Sequence, residues 1–465
     1  MKQKLEYNLI YAGLLKQDLI IALCLFVDAF LIRFAFLLAA DNFYGQEPML
    51  NIITGLHILT NPALSQNVFY QQLPLFLYSL AGAVKLGSEQ IISARFLIVV
   101  TGSLSVISYY YLIKKIFNRK IGLLSGVLLY SYYQHIIMSV VTMPDIIALG
   151  FLFLCLGKVF ERKYFSAAVF GLIACGYSYL AWLVIPVIAV SIFLEQPRNS
   201  QSKLLNEFLF LGISCLFPLW WNYVVDKQYG QGWLWYKNFH NPDSLYTFLF
   251  LAGKSLRQIL ASLFLQPETM LFCLSFIGMF FSLKKKKQLK YILSIVFLIF
   301  LLSLNIFRKE ILILDQGLLF VSALLIPYLI QGVFSLLKIC GLKHKKYGLL
   351  LIISICLLSL IVGFYKIPKV PFSVKEASCW LKENASADSL IYLRNQPEGY
   401  HSVITMESGL PQVNFHYLTA DSPSLETQEK PEYLVLPFAE QVNADQNKWE
   451  QLAVLTGYLI YQRKD

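Results

Sequence analysis

Carboxylates and cations stand at the edges of several apolar runs, where they could do chemistry at a membrane surface. Asp41 and Glu47 follow the first long run, Asp145 opens another in TMPDIIALG, and Arg308 and Lys309 precede a third in FRKEILILDQ. Carboxylates can accept a proton or ligate a metal ion, and cations can hold an anion. If these positions share one membrane face, they could form a site. Each residue alone is also explained as a solvated loop residue or an interface anchor.

Two ionisable residues lie inside the first apolar run, Asp28 and Arg33. Ionisable side chains within a membrane span usually face the bundle interior, where they are paired or functional. The sequence leaves two interpretations open: a structural pair, or a direct part in the chemistry.

An aromatic segment, YGQGWLWYKNFHNPD at 229–243, contains Trp233, Trp235 and His240. Aromatic residues commonly form belts at membrane interfaces. The alternative is a surface on which a sugar ring stacks. The histidines have no HxxxH spacing, so the sequence does not indicate a metal site built from histidine.

The composition predicts a membrane protein, because 57% of the residues are hydrophobic and 14% are charged. A helical span needs about 20 apolar residues, and on that basis the sequence has about eleven candidate spans. We predict an all-α polytopic bundle. The predicted spans are 18–39, 92–113, 121–137, 144–160, 164–178, 180–195, 205–225, 267–283, 290–306, 311–337 and 347–365.

Basic residues predict the orientation of this bundle. The chain has 39 Lys and Arg against 28 Asp and Glu, a net charge of +11. The lysines and arginines cluster in every second connection between the predicted spans, for example at 114–120, 158–163 and 284–290. The positive-inside rule assigns such basic connections to the cytoplasm. We therefore expect a cytoplasmic amino terminus and no binding of nucleic acid. The intervening loops, including 40–91, are expected on the outer face.

The last hundred residues or so differ in character from the rest. KEASCWLKEN has a helical pattern, and EYLVLPF and LAVLTGYLIYQRKD contain short strand-like runs. We predict two domains: a transmembrane domain at 1–365 with its first outer loop at 40–91, and a small α/β extracytoplasmic domain at 366–465. Two apolar pieces, from Pro74 and from Leu245, are expected to lie in the membrane interface.

The order of several short motifs resembles the GT-C membrane glycosyltransferases. Arg33 is followed by DNFY at 41–44, FYQQLPLFLYSLAGAVKLG at 69–87, ARF at 94–96 and TMPD at 142–145. The resemblance is to the type that includes protein O-mannosyltransferases and lipid A aminoarabinose transferases, which take a sugar from a polyprenyl-phosphate carrier. Over about the first 200 residues the resemblance rests on these motifs. In the later part of the chain it rests only on the arrangement of the predicted spans. It implies a GT-C-type bundle of about eleven transmembrane helices.

The resemblance also implies residue roles. Asp41 matches the aspartate that is taken in that family as the base for the acceptor hydroxyl, and Tyr44 matches the tyrosine three positions on. Arg33 matches a basic residue before that loop, and Asp145 matches an acidic residue in the second outer loop, here a candidate metal ligand. Pro74, Leu75 and Tyr78 match a segment that returns to the membrane. The candidate substrate-binding residues are Arg33, Tyr44, Glu47, Lys85, Arg95, Trp233, Trp235, His240, Arg308 and Lys309.

The chain departs from the family pattern in two places. Relatives have Asp-Glu where this chain has Asn42 after Asp41, and acidic-Lys-Pro-Pro where it has QQLP at 71–74. A metal-binding carboxylate and a phosphate-binding lysine are therefore replaced. Three alternatives remain: another charge substitutes, the acceptor differs, or activity is lost. The substitute charge would come from Glu47, Lys85, Arg95 or Arg308.

The resemblance implies a hexosyl- or pentosyltransferase of the cell envelope, in a bacterial inner membrane. It would move a sugar from a polyprenyl phosphate to a hydroxyl of a lipid, glycan or protein on the outer face, with inversion. A divalent metal ion is the one cofactor that the carboxylates leave open. The alternatives are a transporter or flippase for lipid-linked sugars, and a catalytically degenerate relative that only binds them.

Overall fold

The computed structural model describes most of the apolar runs and parts of the carboxyl-terminal region. The described residues are 2–40, 73–87, 91–195, 201–229, 269–282, 295, 311–339, 345–365, 372–386, 389, 391–394, 404, 415–418, 433–437, 449–455 and 458–463.

The amino-terminal 365 residues contribute a bundle of α-helices. Numbered in chain order within the described residues, they are α1 (Lys2–Ala39), α2 (Pro74–Leu86), α3 (Ile91–Ile116), α4 (Arg119–Ser131), α5 (Tyr133–Met138), α6 (Asp145–Phe160), α7 (Tyr164–Tyr177), α8 (Tyr179–Glu195), α9 (Gln201–Tyr229), α10 (Thr269–Ser282), α11 (Ile311–Ile339) and α12 (Lys345–Tyr365).

Five stretches of helix in the described part of the chain are long and apolar enough to cross a membrane. Helices suit a bilayer because they satisfy every backbone hydrogen bond internally. The remaining helices in the predicted spans are shorter, and span 290–306 lies outside the described residues apart from position 295. The expectation of about eleven spans is thus confirmed only in part. The five stretches are Lys16–Ala39, Ile92–Ile116, Leu205–Val224, Leu319–Ile339 and Lys346–Tyr365.

The predicted span 121–137 is two helices instead of one. Helix α4 ends at Ser131, and Tyr132 adopts an extended conformation with φ −69° and ψ 117°. The backbone N–H of Tyr133 then donates to Ser359 Oγ at 3.0 Å, a partner outside the helix. A side chain from α12 therefore takes over part of the hydrogen bonding where the helix is broken.

Helix α2, predicted to lie in the interface, buries one face in the bundle. Phe76, Leu80 and Val84 recur every fourth residue and are fully buried, whereas Tyr78 is 56% exposed. Ser79 Oγ lies 2.9 Å from the hydroxyl of Tyr177 and ties α2 to α7. The other piece predicted for the interface, from Leu245, lies outside the described residues.

Helices α1 and α3 run antiparallel, and their contacts define two distinct ends of the bundle. Phe36 near the end of α1 packs with Val99 near the start of α3. At the opposite end, Asp18 accepts a hydrogen bond from Tyr110, at 2.9 Å. We call these the Asp145 end and the Glu161 end, after the residues that begin and follow α6.

Ion pairs close the Glu161 end. Asp18 of α1 pairs with Lys114 of α3 and with Arg119 of α4, the latter at 3.5 Å. Glu161 pairs with Lys115 at 3.1 Å and with Lys158 at 3.0 Å. Each carboxylate therefore joins residues from different helices or connections.

The carboxyl-terminal region contains α13 (Phe372–Asn384) and the strands β1 (Ile391–Arg394), β2 (Phe415–Leu418), β3 (Tyr433–Pro437), β4 (Trp449–Val454) and β5 (Tyr458–Arg463). They form a five-stranded sheet of order β2-β1-β3-β5-β4. Strand β1 is parallel to β2 and β3, and β5 is antiparallel to β3 and β4. Val374, Ala377 and Leu381 recur at helical spacing and bury α13 against the sheet. The predicted α/β character is confirmed in part by these described elements, while their side of the membrane and the domain boundary remain predictions.

Helices α10 and α11 cross in close contact at two glycines, Gly278 and Gly332. A Cβ on Gly278 would overlap the carbonyl oxygen of Tyr328, and one on Gly332 would overlap that of Leu274. Because the obstacles are backbone atoms, the helices would have to separate. We expect Gly278→Ala to destabilise the protein by about 1–3 kcal/mol. Thermal unfolding in detergent measures this.

The matched control is Gly212→Ala in α9, where an added Cβ meets nothing within 4 Å. Alanine forms helix more readily than glycine, so this variant should match the wild type or exceed it slightly. Equal losses in both variants would contradict close backbone packing between α10 and α11.

Glu161 generates a pH prediction. Its partial burial opposes ionisation, but hydrogen bonds from Lys158 and Lys115 and their charges outweigh this and lower its pKa from 4.5 to about 2. A carboxyl whose pKa falls on folding stabilises the folded state above its unfolded pKa, and the contribution is lost as pH falls toward the folded value. We expect Glu161→Gln to lower the melting temperature at neutral pH, and the difference from wild type to shrink between pH 4.5 and about 2.

Melting temperatures of both proteins, measured from neutral pH into the acid range, test this expectation. Glu383→Gln, at an exposed position of α13, is the control and should follow the wild type throughout. A difference between Glu161→Gln and wild type that stays constant with pH would contradict the ionic role.

Candidate functional site

The segment between α4 and α6, residues 132–144, consists of the short helix α5 and the tight turn that follows it; we call this segment the buried turn, and it lies at the Asp145 end. Backbone N–H groups of Ser139 and Val140 donate to Ile136 and Ile137, both at 3.0 Å, and Met143 N–H donates to Val141 at 2.8 Å. The turn is buried: Ser139 and Val140 have no exposed surface. A buried turn must satisfy its polar groups within the protein, and that fixes its shape.

Arg33 of α1 holds this turn from one side. Its side chain is completely buried. One guanidinium nitrogen donates to Ala29 O at 2.8 Å, and another lies 2.6 Å from His135 Nδ1. Asp28 is exposed. Of the two interpretations left open for Arg33, the structure shows a structural pair, and its partner is His135.

The contact with Arg33 determines the tautomer of His135. A guanidinium group only donates, so Nδ1 must accept through its lone pair, which leaves the imidazole neutral with its hydrogen on Nε2. Nε2 lies 3.1 Å from Ser105 Oγ, and that hydroxyl donates to Gly102 O at 2.8 Å. Hydrogen bonds thus connect Arg33 of α1, His135 of α5 and Ser105 of α3 in series.

Arg95 of α3 holds the same turn from another side. The residue is 2% exposed, and its Nε donates to Val140 O at 3.4 Å. The carbonyl of Val140 is therefore in contact with a cation, five residues before Asp145. Two arginines predicted to bind substrate thus contact one turn.

Asp145 begins α6 and is 3% exposed. The hydroxyl of Ser178 donates to its carboxylate. Ser178 Oγ also accepts from Leu180 N–H at 3.0 Å, so it caps the first turn of α8. The position of the carboxylate is thereby tied to the start of a different helix.

The two described ends of the first outer loop approach this region. Ala40 donates to Phe36 O at 3.0 Å, and Phe36 packs with Val140. At the other end, Leu73 packs with Trp221 in a cluster that includes Tyr179, next to Ser178. The described residues on either side of the Asp41 loop, Ala40 and Leu73, are therefore both buried in the bundle.

The structure places some of the predicted site residues together. Arg33, Arg95 and Asp145 all lie at the Asp145 end, while Lys85 is exposed in the last turn of α2. Sequence reasoning missed His135 as a partner of Arg33 and Ser178 as a partner of Asp145. A histidine within the apolar stretch SYYQHIIM was the available signal for the first. The predicted residues outside the described part are Asp41, Tyr44, Glu47, Trp233, Trp235, His240, Arg308 and Lys309.

The described residues do not form a metal centre by themselves. They contain no group of three or more His, Cys, Asp or Glu side chains placed to hold an ion. Asp145 supplies one carboxylate, and Ser178 engages one of its oxygens. A complete ligand set would require the carboxylates of the first outer loop, which lie outside the described residues.

The bundle has the fold of the GT-C membrane glycosyltransferases, which confirms the resemblance seen in the motifs. ArnT from Cupriavidus metallidurans bound to undecaprenyl phosphate matches with a TM-score of 0.62 at 12% identity, over 94% of this chain and 97% of that chain. The Archaeoglobus fulgidus oligosaccharyltransferase in complex with Zn and sulfate matches with a TM-score of 0.55 at 13% identity, over 83% and 61%.

The oligosaccharyltransferase AglB from the same archaeon, in complex with an inhibitory peptide and a dolichol-phosphate, matches with a TM-score of 0.51 at 12% identity, over 83% of this chain and 63% of that chain. No protein family and no curated protein matches the sequence itself. At these identities the likeness establishes the fold. Together with the five apolar helices, it identifies an integral, multi-pass membrane protein.

The Arg33–His135 contact generates a stability prediction. Removing His135 leaves a buried guanidinium short of an acceptor, and leaving a buried charged donor unsatisfied costs about 3 kcal/mol. We therefore expect His135→Ala to lower the melting temperature strongly. Asp28→Asn, also in α1 but exposed, should have little effect.

A double variant distinguishes the loss of the Arg33–His135 hydrogen bond from the loss of side-chain packing. Replacing both partners with apolar residues, as Arg33→Met with His135→Leu, removes the unsatisfied charge and should be more stable than His135→Ala. If the double variant melts below His135→Ala, the hydrogen bond does not explain the effect.

Proposed function

We propose that this protein is a membrane glycosyltransferase that transfers a sugar from a polyprenyl-phosphate carrier to an acceptor hydroxyl. The observation that carries the proposal is the match to an ArnT structure bound to undecaprenyl phosphate, over 94% of this chain. The match to an enzyme bound to dolichol-phosphate, again a polyprenyl phosphate, supports the same carrier class. The face would be the extracytoplasmic side, as the basic clusters predict, and the membrane would be a bacterial inner membrane, as the family resemblance implies.

Asp41 is the proposed base. It would take the proton of the acceptor hydroxyl while the hydroxyl oxygen bonds to the anomeric carbon, and the bond from that carbon to the phosphate oxygen breaks with inversion. The electron pair leaves with the carrier phosphate. The burial of Ala40, the residue before Asp41, at the Asp145 end supports the proposal that this base acts near Asp145.

The departing phosphate needs positive charge in a medium of low dielectric constant. Arg308, Lys309 and Lys85 are the proposed cations for it. Arg33 and Arg95 are buried and engaged with the turn, so we assign them mainly to holding that turn and Asp145 in place. Trp233, Trp235 and His240 are proposed to stack on the sugar, with Tyr44 and Glu47 orienting it.

Asp145 is proposed to face the same reaction space. The mechanism above is written with protein side chains alone, and Asp145 is the residue that would contribute to a metal site if one forms with loop carboxylates. An assay with and without a chelator tests metal dependence directly, and loss of activity on chelation would require Asp41 or Glu47 to complete a site with Asp145.

Replacing the base is the decisive test. We expect Asp41→Asn to lower the rate of sugar transfer by about 10²–10⁴-fold, because a general base contributes about that much. Folding should be unchanged, as judged by the melting temperature. Glu383→Gln, at an exposed position of α13, is the matched control and should transfer at the wild-type rate. Wild-type activity in Asp41→Asn would remove Asp41 as the base.

A reaction in detergent distinguishes the transferase from the two rival functions. Purified protein would be given a radiolabelled polyprenyl-phosphate sugar and a mixture of envelope lipids and glycans as acceptors. Transfer in detergent cannot be transport, because no compartment exists to cross. Binding of the carrier with no transfer to any acceptor would favour the degenerate relative.

A further inference from the structure

A groove of about 810 Å³ opens at the Glu161 end, far from the candidate active site. It lies between α1, α3 and α6. Residues Arg95 and Lys114 of α3 are nineteen positions apart, which corresponds to about 28 Å along a helix. That is about the thickness of the hydrocarbon core of a bilayer. The groove therefore lies at the level of the lipid headgroups opposite the Asp145 end.

The groove is rich in positive charge. Four lysines line the groove, and its acidic residues are Asp18 and Glu161. The lining therefore carries a net charge of +2. The side chains of Lys115 and Lys158 remain 47% and 31% exposed although both pair with Glu161. Each ammonium group has three hydrogens to donate, so ion pairing leaves donors free for a ligand. The four lysines are Lys16, Lys114, Lys115 and Lys158.

Polar and apolar surfaces meet in the groove. Ser108 and Tyr111 add hydroxyl groups beside the lysines, and Leu112 and Phe153 form part of the wall. A ligand that fits this lining carries an anionic oxygen-rich group together with an apolar portion.

An apolar strip leads from the groove along α1. Leu19 lines the groove and is 67% exposed. Leu23 and Val27 follow at helical spacing and are 61% and 42% exposed. In a membrane this surface faces acyl chains. The continuity of the strip with the groove favours a lipid over a soluble anion.

We propose that this groove binds the phosphate headgroup of an anionic phospholipid, with the acyl chains lying along α1. Basic pockets between transmembrane helices are known to bind such headgroups. The phosphate would accept hydrogen bonds from Lys16, Lys115 and Lys158, while Asp18 and Glu161 hold the lysine-bearing helices together. The site is independent of the proposed transferase activity.

Lipid binding to the purified full-length protein in a nonionic detergent tests the proposal by native mass spectrometry. The probes are a phosphatidylglycerol and a phosphatidylcholine with identical acyl chains. The test variant is Lys16→Gln with Lys115→Gln, because Glu161 keeps Lys158 and Lys163 as partners. The matched control is Lys163→Gln, which removes one charge and one ion pair at the same end but does not line the groove.

We expect the wild type and Lys163→Gln to retain phosphatidylglycerol in preference to phosphatidylcholine. Each lysine removed from the groove should weaken binding about fivefold. If the double variant melts at a lower temperature than the wild type, Lys16→Gln alone carries the test, since no ion pair of Lys16 is recorded among the described residues.

Three results would overturn the proposal. One is equal retention of the two lipids by the wild type. Another is an equal loss of phosphatidylglycerol in Lys163→Gln and in the groove variant, which would indicate a general effect of net charge. The third is displacement of the lipid by inorganic phosphate at an equal concentration, which would assign the groove to a soluble anion.

Discussion

The burial of charge in a low-dielectric interior is the constraint on which the arrangement of this bundle depends. Arg33 has no exposed surface, and burying an unpaired cation is costly. Its bond to His135, the onward contact to Ser105 and the backbone acceptor at Ala29 offset that cost. Because the partners come from three helices, the hydrogen bonds that start at this one guanidinium also link α1, α3 and α5.

The same constraint explains why the polar residues of the described bundle divide between two ends. At the Asp145 end, Arg95 and Ser178 hold a buried turn and a buried carboxylate. At the Glu161 end, carboxylates are surrounded by lysines that stay partly exposed. The first arrangement is rigid and desolvated, as preorganised catalysis requires. The second keeps accessible donors, as binding of a charged headgroup requires. One fold thus supports two different kinds of polar surface.

The fold and the motifs support the proposed transferase in different ways. The similarity to ArnT extends over nearly the whole chain, but it is a similarity of backbone fold. Proteins of one fold can have many different functions. The motif order around Asp41 concerns chemistry, and it departs from the family at Asn42 and at Gln71. The buried turn connects the two, because it brings the described ends of the Asp41 loop to the layer that contains Asp145.

Apolar runs and charge clusters along the chain predict most of the helices of the described bundle and the chemical character of its two ends. Runs of about 20 apolar residues must become helices in a bilayer, since backbone groups have no other partners there. Strand-like runs after residue 390 likewise predicted the sheet. The hydrogen-bond partners of the buried charges are visible only in the tertiary structure. Arg33 pairs with His135, 102 positions away, and Asp145 with Ser178, 33 positions away. The tertiary structure also decided the break at Tyr132 and the separation of Arg33 from Asp28. Such pairings depend on which helix faces pack together, and a pattern read along one chain does not contain that information.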